Sequence, residues 1–518
     1  MEIDLSHLPT DPDALQRMVI GLVEQRAEQQ RELRQVQHLL EQLLRWRYGQ
    51  KRERVDENQL FLFAASVIRR VLPGPDSAPP EVAAPASPAA SNPAGQRKGH
   101  GRQHLPSSLE RRRVLYDLGE HERQCPHCHS ELRSIGEEVS ERLEYVPASC
   151  HVIEQACCKY ACPRGCTVVT ATKPAAPIEK GRAGPGLLAH IAVSKFGDHL
   201  PLHRQEAILQ RQGVQLSRKT MCDWMRRCAE LVSPLCEHMK QQVLRSKVLQ
   251  TDDTPVPVFD PALPRTRTRR IWTYVGNEEH PYTVYDYTPN RSRDGPDTFL
   301  QDFRGYLQAD AFSGYDHLYV DSERGVVEVA CWAHARRRFF EAQSSDVMRS
   351  TVMLAYIRLL YDVEREARDR KLNPDERRTL RQVRSLPVLA DIRAYLEAEQ
   401  PKVLPKSPEG QAIAYTLSNW QALVRYCEDG ELAIDNNGAE QSLRGIVVGR
   451  KNWMFYGSDR GGRTAAVLTS MIATCKRLRI DPFAYLRDVF ARISTHPQNQ
   501  LDELLPDRWL AAQVATTS

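Results

Sequence analysis

KVLQTDDTPVPVF, residues 247–259, reads as a strand of β-branched and apolar residues interrupted by two adjacent aspartates, Asp252 and Asp253. A carboxylate inside such a strand is costly to bury without a partner. Either acid could be a turn former; Asp253, directly ahead of T-P, fits that role better, which leaves Asp252 as the candidate functional acid. Working outward, RRIWTYVGN (269–277) and YTVYDYT (282–288) read as two more strands, and PDTFLQDF (296–303) as a short helix. GYLQADAFSGYDHL (305–318) reads as a fourth strand ending in Asp310. The order β-β-β-α-β places one carboxylate on the first strand and one on the fourth. They lie 58 residues apart, a span that suits three strands and a helix of ordinary length.

VVEVACWAHARRRFFEA (326–342) continues as an apolar strand running into a basic helix, followed by charged helical sequence up to Gly430. The stretch 433–453, AIDNNGAEQSLRGIVVGRKNW, then sets Glu440 ahead of Arg444, Arg450 and Lys451, three residues suited to holding phosphate. Glu440 falls 130 residues past Asp310, too far for a minimal sheet domain, so a helical insertion at about 341–430 is expected before the next core helix. Spacings of three and four place Glu440 on one helix face with Asn436 and Asn437 behind it and Leu443 and Arg444 ahead. From that face a side chain can reach the sheet. A helix N-cap with ordinary surface charge is the other reading of the same residues.

A chain of 518 residues is too long for one core and implies several modules. Lys and Arg total 71 against 66 Asp and Glu, a net charge of +5, so any nucleic-acid contact must come from local basic patches. The start, MEIDLSHLPTDPD, lacks an apolar signal core and no run of about 18 apolar residues occurs, which predicts a soluble cytoplasmic protein with no membrane partner. Leu15, Val19, Leu22, Leu33, Val36, Leu40 and Leu43 follow a heptad, but Arg26 and Gln29 interrupt the seam. A dimeric coiled coil and a solitary amphipathic helix both remain open. Trp46 and Tyr48 then alternate with Arg45, Arg47, Lys51, Arg52 and Arg54, a pattern shared by DNA-contacting and merely solvated basic helix ends. Residues 71–105 begin as a Pro-, Ala- and Ser-rich linker with little to bury.

Seven of the thirteen cysteines fall between Cys125 and Cys166, a concentration that points to metal and not to disulfides. Cys125 with Cys128, and Cys162 with Cys166, form two knuckles of the zinc-ribbon kind, although the second gap is one residue wider than usual. Cys157, Cys158, His127 and His129 could each replace a ligand, and scattered buried thiols are the alternative. Farther on, LHRQEAILQRQ (202–212) and SRKTMCDWMRRCAE (217–230) flank the turn GVQL with Ser217 at an N-cap position. This is helix-turn-helix spacing, shared with plain helical hairpins; Arg218, Lys219 and Arg226 are expected to be exposed on its second helix.

TDDTPVPV, LQADAFSGYD, CWAHARRRF, DNNGAEQSLRGIVVGRKNW and TCKRLRIDPFAYL resemble, in this order, motifs of the insertion-sequence-66 family of bacterial transposases. RYGQKRERVDENQLFLF, the cysteine knuckles and LLPDRW extend the resemblance over nearly the whole chain; Gln441, where the family often has Arg, departs from it. The resemblance implies a multidomain α+β protein with a ribonuclease-H-like catalytic core, in which Asp252, Asp310 and Glu440 are the DDE carboxylates. Cys331 and His334 resemble the C-x-x-H pair found after the second aspartate of many such enzymes. The implied organisation is an N-terminal helical or coiled-coil region (1–70), linker (71–105), zinc ribbon (106–175), helix-turn-helix-like region (176–240), catalytic domain (241–480) and C-terminal helical tail (481–518).

Carboxylates suit Mg2+ or Mn2+, and two ions about 4 Å apart would serve strand cleavage and strand transfer without a protein nucleophile. The expected partners are DNA, as the element's terminal inverted repeats and the target, a second copy of the chain on that DNA, and accessory proteins of the element. Arg444, Arg450, Lys451, Arg218 and Lys219 are the expected DNA contacts, and Cys125, Cys128, Cys162 and Cys166 the zinc ligands. A sequence-specific DNA-binding regulator and a catalytically decayed relative are the rival readings.

Overall fold

Two short antiparallel strands, β1 (Lys159–Ala161) and β2 (Val168–Thr170), are the first elements among the described residues. The computed structural model describes residues 151–155, 157, 159–161, 168–170, 175–179, 181–321 and 323–517. Cys125, Cys128, Cys162 and Cys166, the heptad region and the linker lie outside the described residues, although β1 and β2 bracket Cys162 and Cys166 in sequence.

Three helices follow: α1 (Pro185–Ala192), α2 (Leu202–Arg211) and α3 (Arg218–Val243). Ser217 caps α3 as its position suggests, its Oγ accepting from the Thr220 N–H at 3.2 Å. The helix runs well beyond the predicted segment because Met221, Trp224, Cys228, Val232, Leu235 and Met239 recur at helical spacing and are buried in the same apolar cluster as the sheet. Arg218 and Lys219 are exposed on its first turn. Arg226 departs from expectation: ion pairs with Asp223 (2.6 Å) and Glu230 (2.7 Å) fold it onto the helix surface.

The sheet comprises β3 (Val248–Val258), β4 (Arg267–Val275), β5 (Thr283–Thr288), β6 (Gly305–Gln308) and β7 (Val326–Val329), with short helices α4 (Asp294–Phe299) and α5 (Asp316–Val320) in the connections. Its order is β5-β4-β3-β6-β7; β4 runs antiparallel to both of its neighbours, β3 and β5, whereas β6 and β7 run parallel to β3. The first and fourth strands are therefore neighbours. Gly305 starts β6 at φ +133, where an added Cβ would come within 2.6 Å of the Lys247 carbonyl oxygen, so only glycine fits there. Pro255 and Pro257 are tolerated in β3 because β6 pairs only with Val248–Gln250 and leaves the rest of that edge open. On that edge the Pro257 carbonyl accepts from the Tyr456 N–H at 2.9 Å.

After β7 come α6 (Trp332–Ala342), α7 (Val347–Asp369), α8 (Pro374–Glu399), α9 (Pro408–Ser418) and the short α10 (Trp420–Val424). The last four occupy the interval where the helical insertion is expected. α8 starts at a capping box, in which Asn373 and Glu376 satisfy each other's backbone N–H groups with Pro374 in the first turn. The chain then returns through α11 (Asn437–Trp453), α12 (Asp459–Arg477), α13 (Pro482–Arg492) and α14 (Pro506–Thr517). One apolar cluster joins α1–α3, the sheet and α12–α13, while a second joins α6–α10 to Val248, Val329, Leu432 and Ile434. Among the described residues no helix is long and apolar enough to cross a membrane.

Arg381 on α8 is 1% exposed and ties these helices to the chain leading into α11. Its guanidinium donates to both Glu364 oxygens (2.8 and 2.7 Å) and to the carbonyls of Tyr426, Asp429 and Leu432 (2.6, 3.0 and 2.9 Å). Arg381→Met would strand the Glu364 charge and three carbonyls, with an expected loss of about 3–5 kcal/mol. Pairing it with Glu364→Leu should restore part of that loss, which denaturant melts of the two variants would reveal.

Candidate active site

The parallel ladder between β3 and β6 stops at Gln250 paired with Gln308, and the two aspartates lie two residues farther along their respective chains. Side-chain amides secure this last rung. Gln250 Nε2 donates to Gln308 Oε1 at 3.0 Å, and the buried Gln308 donates to the Ala433 carbonyl at 2.7 Å. The two acids thus flank the place where the strands part. Asp310 lies just past β6, and the next residue, Ala311, turns the chain at φ +60.

Glu440 reaches the same place from α11. The fully buried Asn436 precedes that helix, its N–H donating to Cys331 Sγ at 3.2 Å and its Nδ2 to the Thr251 carbonyl at 2.8 Å. Asp435 caps the turn, accepting from the Asn437 N–H (3.2 Å) and from Tyr361 OH (3.0 Å) on α7. Gly438 sits so close to the strand that an added Cβ would lie 2.2 Å from Gln250 Oε1. One turn on, Ser442 bonds Thr273 of β4 at 2.8 Å, and Tyr285 OH donates to the Ser442 carbonyl at 2.8 Å. Glu440 is therefore held in the first turn of α11 above β3, its side chain 38% exposed.

Burial, followed by the negative charges of Asp310, Glu440 and Asp253, pushes the Asp252 carboxyl up to about 7; the bond from the Asp253 N–H only partly offsets this. Asp253 is not a turn former. It lies within β3 with a side chain 2% exposed, and its oxygens pair with Arg270 (2.8 Å) and Arg291 (2.9 Å). Arg291 also approaches Asp310 at 3.7 Å and lies over the Phe312 ring at 4.2 Å. Asp253 thereby fixes a positive group next to the acids. Gln250, Gln308, Arg270 and Arg291 are not among the residues that the sequence singles out. A signal existed for the glutamines, since LQTD (249–252) and LQAD (307–310) repeat one pattern; the arginine pairings cross strands and loops and leave no local mark.

Cys331 is buried at the N-cap of α6, and His334 lies one turn on, with Nδ1 3.7 Å from Glu440 Oε1. Arg444 and Lys451 are exposed on α11, whereas Arg450 donates to the Pro255 carbonyl and so braces the open edge of β3. Arg218 pairs with Glu206 at 3.1 Å.

The family model described as Transposase IS66 family matches residues 180–464, more than half of the chain and the whole of this site. The chain belongs to the transposase IS66 family. The IS66 C-terminal element matches residues 470–506, the zinc-finger binding domain of transposase IS66 matches 122–166, and the model described as Transposase C of IS166 homeodomain matches 35–114. The uncharacterized protein y4hP of Sinorhizobium fredii (strain NBRC 101917 / NGR234) is 34% identical over 443 residues, covering 81% of this chain and 79% of its own length. The uncharacterized protein y4jD of the same organism is 34% identical over 428 residues, with 79% and 82% covered. Membership of the IS66 transposases connects the chain with transposition, DNA binding and DNA-cleaving enzymes as a class. The zinc-finger match spans Cys125, Cys128, Cys162 and Cys166 and supports Zn2+.

The raised Asp252 acid has a consequence for stability in the absence of added divalent metal. Its ordinary value is 3.8 and its folded value about 7, so the stability carried by the protonated acid is complete below pH 3.8 and is lost as pH rises to about 7. Asp252→Asn should flatten that fall and melt at higher denaturant than the native chain above pH 7. Equal slopes for the two proteins in denaturant melts taken across this range would contradict the assigned acid.

Proposed function

We propose that this IS66-family chain is a DDE transposase whose ribonuclease-H-like core uses Asp252, Asp310 and Glu440 to hold Mg2+ or Mn2+ for strand cleavage and strand transfer. The placing of Asp252 and Asp310 where the β3–β6 ladder opens, with Glu440 on the first turn of α11 beside them, carries the reading, and the raised Asp252 acid, to which both neighbours contribute after burial, supports it. The donor set fits a hard divalent cation: all three ligands are carboxylate oxygens, and a cation would relieve their mutual repulsion. The strand order β5-β4-β3-β6-β7 supports the ribonuclease-H-like assignment. When bound, such ions activate the attacking oxygen and stabilise the leaving oxygen of a phosphodiester.

The chain's own residues do the rest. Asn436 and the two glutamines hold the acids in register, and Arg291, fixed by Asp253, limits repulsion at Asp310 before DNA arrives. Arg444 and Lys451 offer exposed positive charge to phosphates beside Glu440, and Arg450 contributes there while bracing β3. Arg218 and Lys219, on the exposed first turn of α3, meet the element's terminal inverted repeats. Cys125, Cys128, Cys162 and Cys166 hold zinc in the preceding ribbon, and residues 1–70 pair two copies on DNA. Target DNA and accessory proteins of the element complete the set of partners in the cytoplasm.

Asp252→Asn, Asp310→Asn and Glu440→Gln should each abolish cleavage and joining of element-end duplexes while leaving end binding largely intact. A variant that cleaves at a near-native rate would remove its residue from the site. Arg444→Ala and Lys451→Ala should weaken binding to end and scrambled duplexes alike, lowering the slope of log affinity against log salt by about one unit for each phosphate no longer neutralised. Unchanged slopes in a salt titration would show a solvated helix face instead.

A further inference from the structure

Among the described residues, Cys331, His334 and Glu440 form a trio whose Sγ, ring nitrogen and carboxylate oxygen all lie within 4.8 Å of one another. Cys331 and His334 occupy the N-cap and first turn of α6, and Glu440 the first turn of α11, so two helix N-termini converge on the trio. Their dipoles favour the anionic forms that a thiol and a carboxyl adopt on binding a metal. His334 Nδ1 is buried without a hydrogen-bond partner; its approach to Glu440 Oε1, 3.7 Å, is too long for a hydrogen bond but suits two atoms bound to one ion. Cys331 Sγ accepts the Asn436 N–H at 3.2 Å, an outer contact of the kind that orients a metal-bound sulfur.

We infer that Cys331, His334 and Glu440 form a second zinc site, separate from the cysteine knuckles, which withdraws Glu440 from the proposed catalytic set when it is filled. Zinc bonds of about 2.0–2.3 Å place tetrahedral ligand atoms about 3.3–3.8 Å apart, a range that the 3.7 Å between His334 Nδ1 and Glu440 Oε1 already meets. Side-chain rotation of the partly exposed Glu440 lets its carboxylate adjust to the ion. A thiolate, an imidazole and a carboxylate select Zn2+ over Mg2+, which does not favour sulfur, and three protein ligands leave the fourth position to water. Filling the site releases the Cys331 thiol proton to solvent. Only the inhibitory consequence rests on the proposed role of Glu440; zinc binding itself does not.

The test is equilibrium dialysis of the full chain against buffered Zn2+, with Co2+ as a spectroscopic probe of sulfur ligation. Glu440→Gln, His334→Gln and Cys331→Ser should each bind one zinc fewer per chain than the native protein, and Cys331→Ser should also lose part of the sulfur-to-cobalt charge-transfer band. Circular dichroism identifies any variant that fails to fold; the more exposed positions, 334 and 440, keep the test decisive if Cys331→Ser does not fold. Native zinc stoichiometry in folded Glu440→Gln and His334→Gln would overturn the inference. Cleavage then separates the two ideas. Loss of cleavage in Glu440→Gln with native zinc binding sinks the zinc site and leaves the transposase reading standing, whereas loss of one zinc with cleavage retained does the reverse. Zinc above the knuckle stoichiometry should slow native cleavage, and Cys331→Ser, compared with its own zinc-depleted rate, should be insensitive to it.

Discussion

The amide contact between Gln250 and Gln308 links three distant parts of the chain at one point. It closes the last rung between β3 and β6, and through Gln308 and the Ala433 carbonyl it brings in the segment that leads to Glu440. Because Gln308 is fully buried, an unmatched amide there would be expensive, and the pairing admits little slippage. A one-residue slip would turn the aspartates to the opposite face of the sheet. Gly438 adds to this from the other side, since a Cβ there would displace the Gln250 amide oxygen from its present place.

The long helical interval between α6 and α11 is compatible with that arrangement because it is anchored at both ends. At its start the Trp332 indole donates to the Leu423 carbonyl at 2.8 Å, and the Trp332 N–H to the Ile434 carbonyl at 3.1 Å. At its end Arg381 gathers the carbonyls of residues 426, 429 and 432. Loop-closure entropy grows slowly with length, so a large inserted body adds little cost once its two ends are secured. Glu440 can consequently lie far from Asp310 in sequence and still share an electrostatic environment with Asp252.

That environment is unfavourable without a cation, and the surrounding residues limit the penalty without removing it. Asp253, almost wholly buried, is neutralised by Arg270 and Arg291, and Arg291 extends toward Asp310. Asp252 is instead raised to about 7 by its burial and by the charge of its acidic neighbours. Two adjacent aspartates on one strand thus meet different surroundings, because successive residues face opposite sides of a strand.

Much was legible from residue order alone: the β-β-β-α-β succession, an acid on the first strand, a helical interval before Glu440, and the Ser217 cap. Each depends on local propensity or on spacing along one element, and both are written in adjacent residues. The fourth strand stops at Gln308, two residues short of the Asp310 expected to end it. The length of α3 was not read from the sequence, because Pro234 interrupts a continuation that stays helical while burying its apolar face in the same cluster as the sheet. Nor were the pairing of Asp253, the enclosure of Arg226 in ion pairs, or the bracing of β3 by Arg450. These depend on partners brought close by the folded chain or, for Arg226, on which rotamer its neighbours favour. Which acids exist, which elements carry them and which family they belong to could all be read along the chain. Which acid is neutralised, which stays exposed to its neighbours' charge, and that a thiol and an imidazole stand beside Glu440 emerged only on folding, because charge state and ligand geometry follow distances between residues that the sequence keeps far apart.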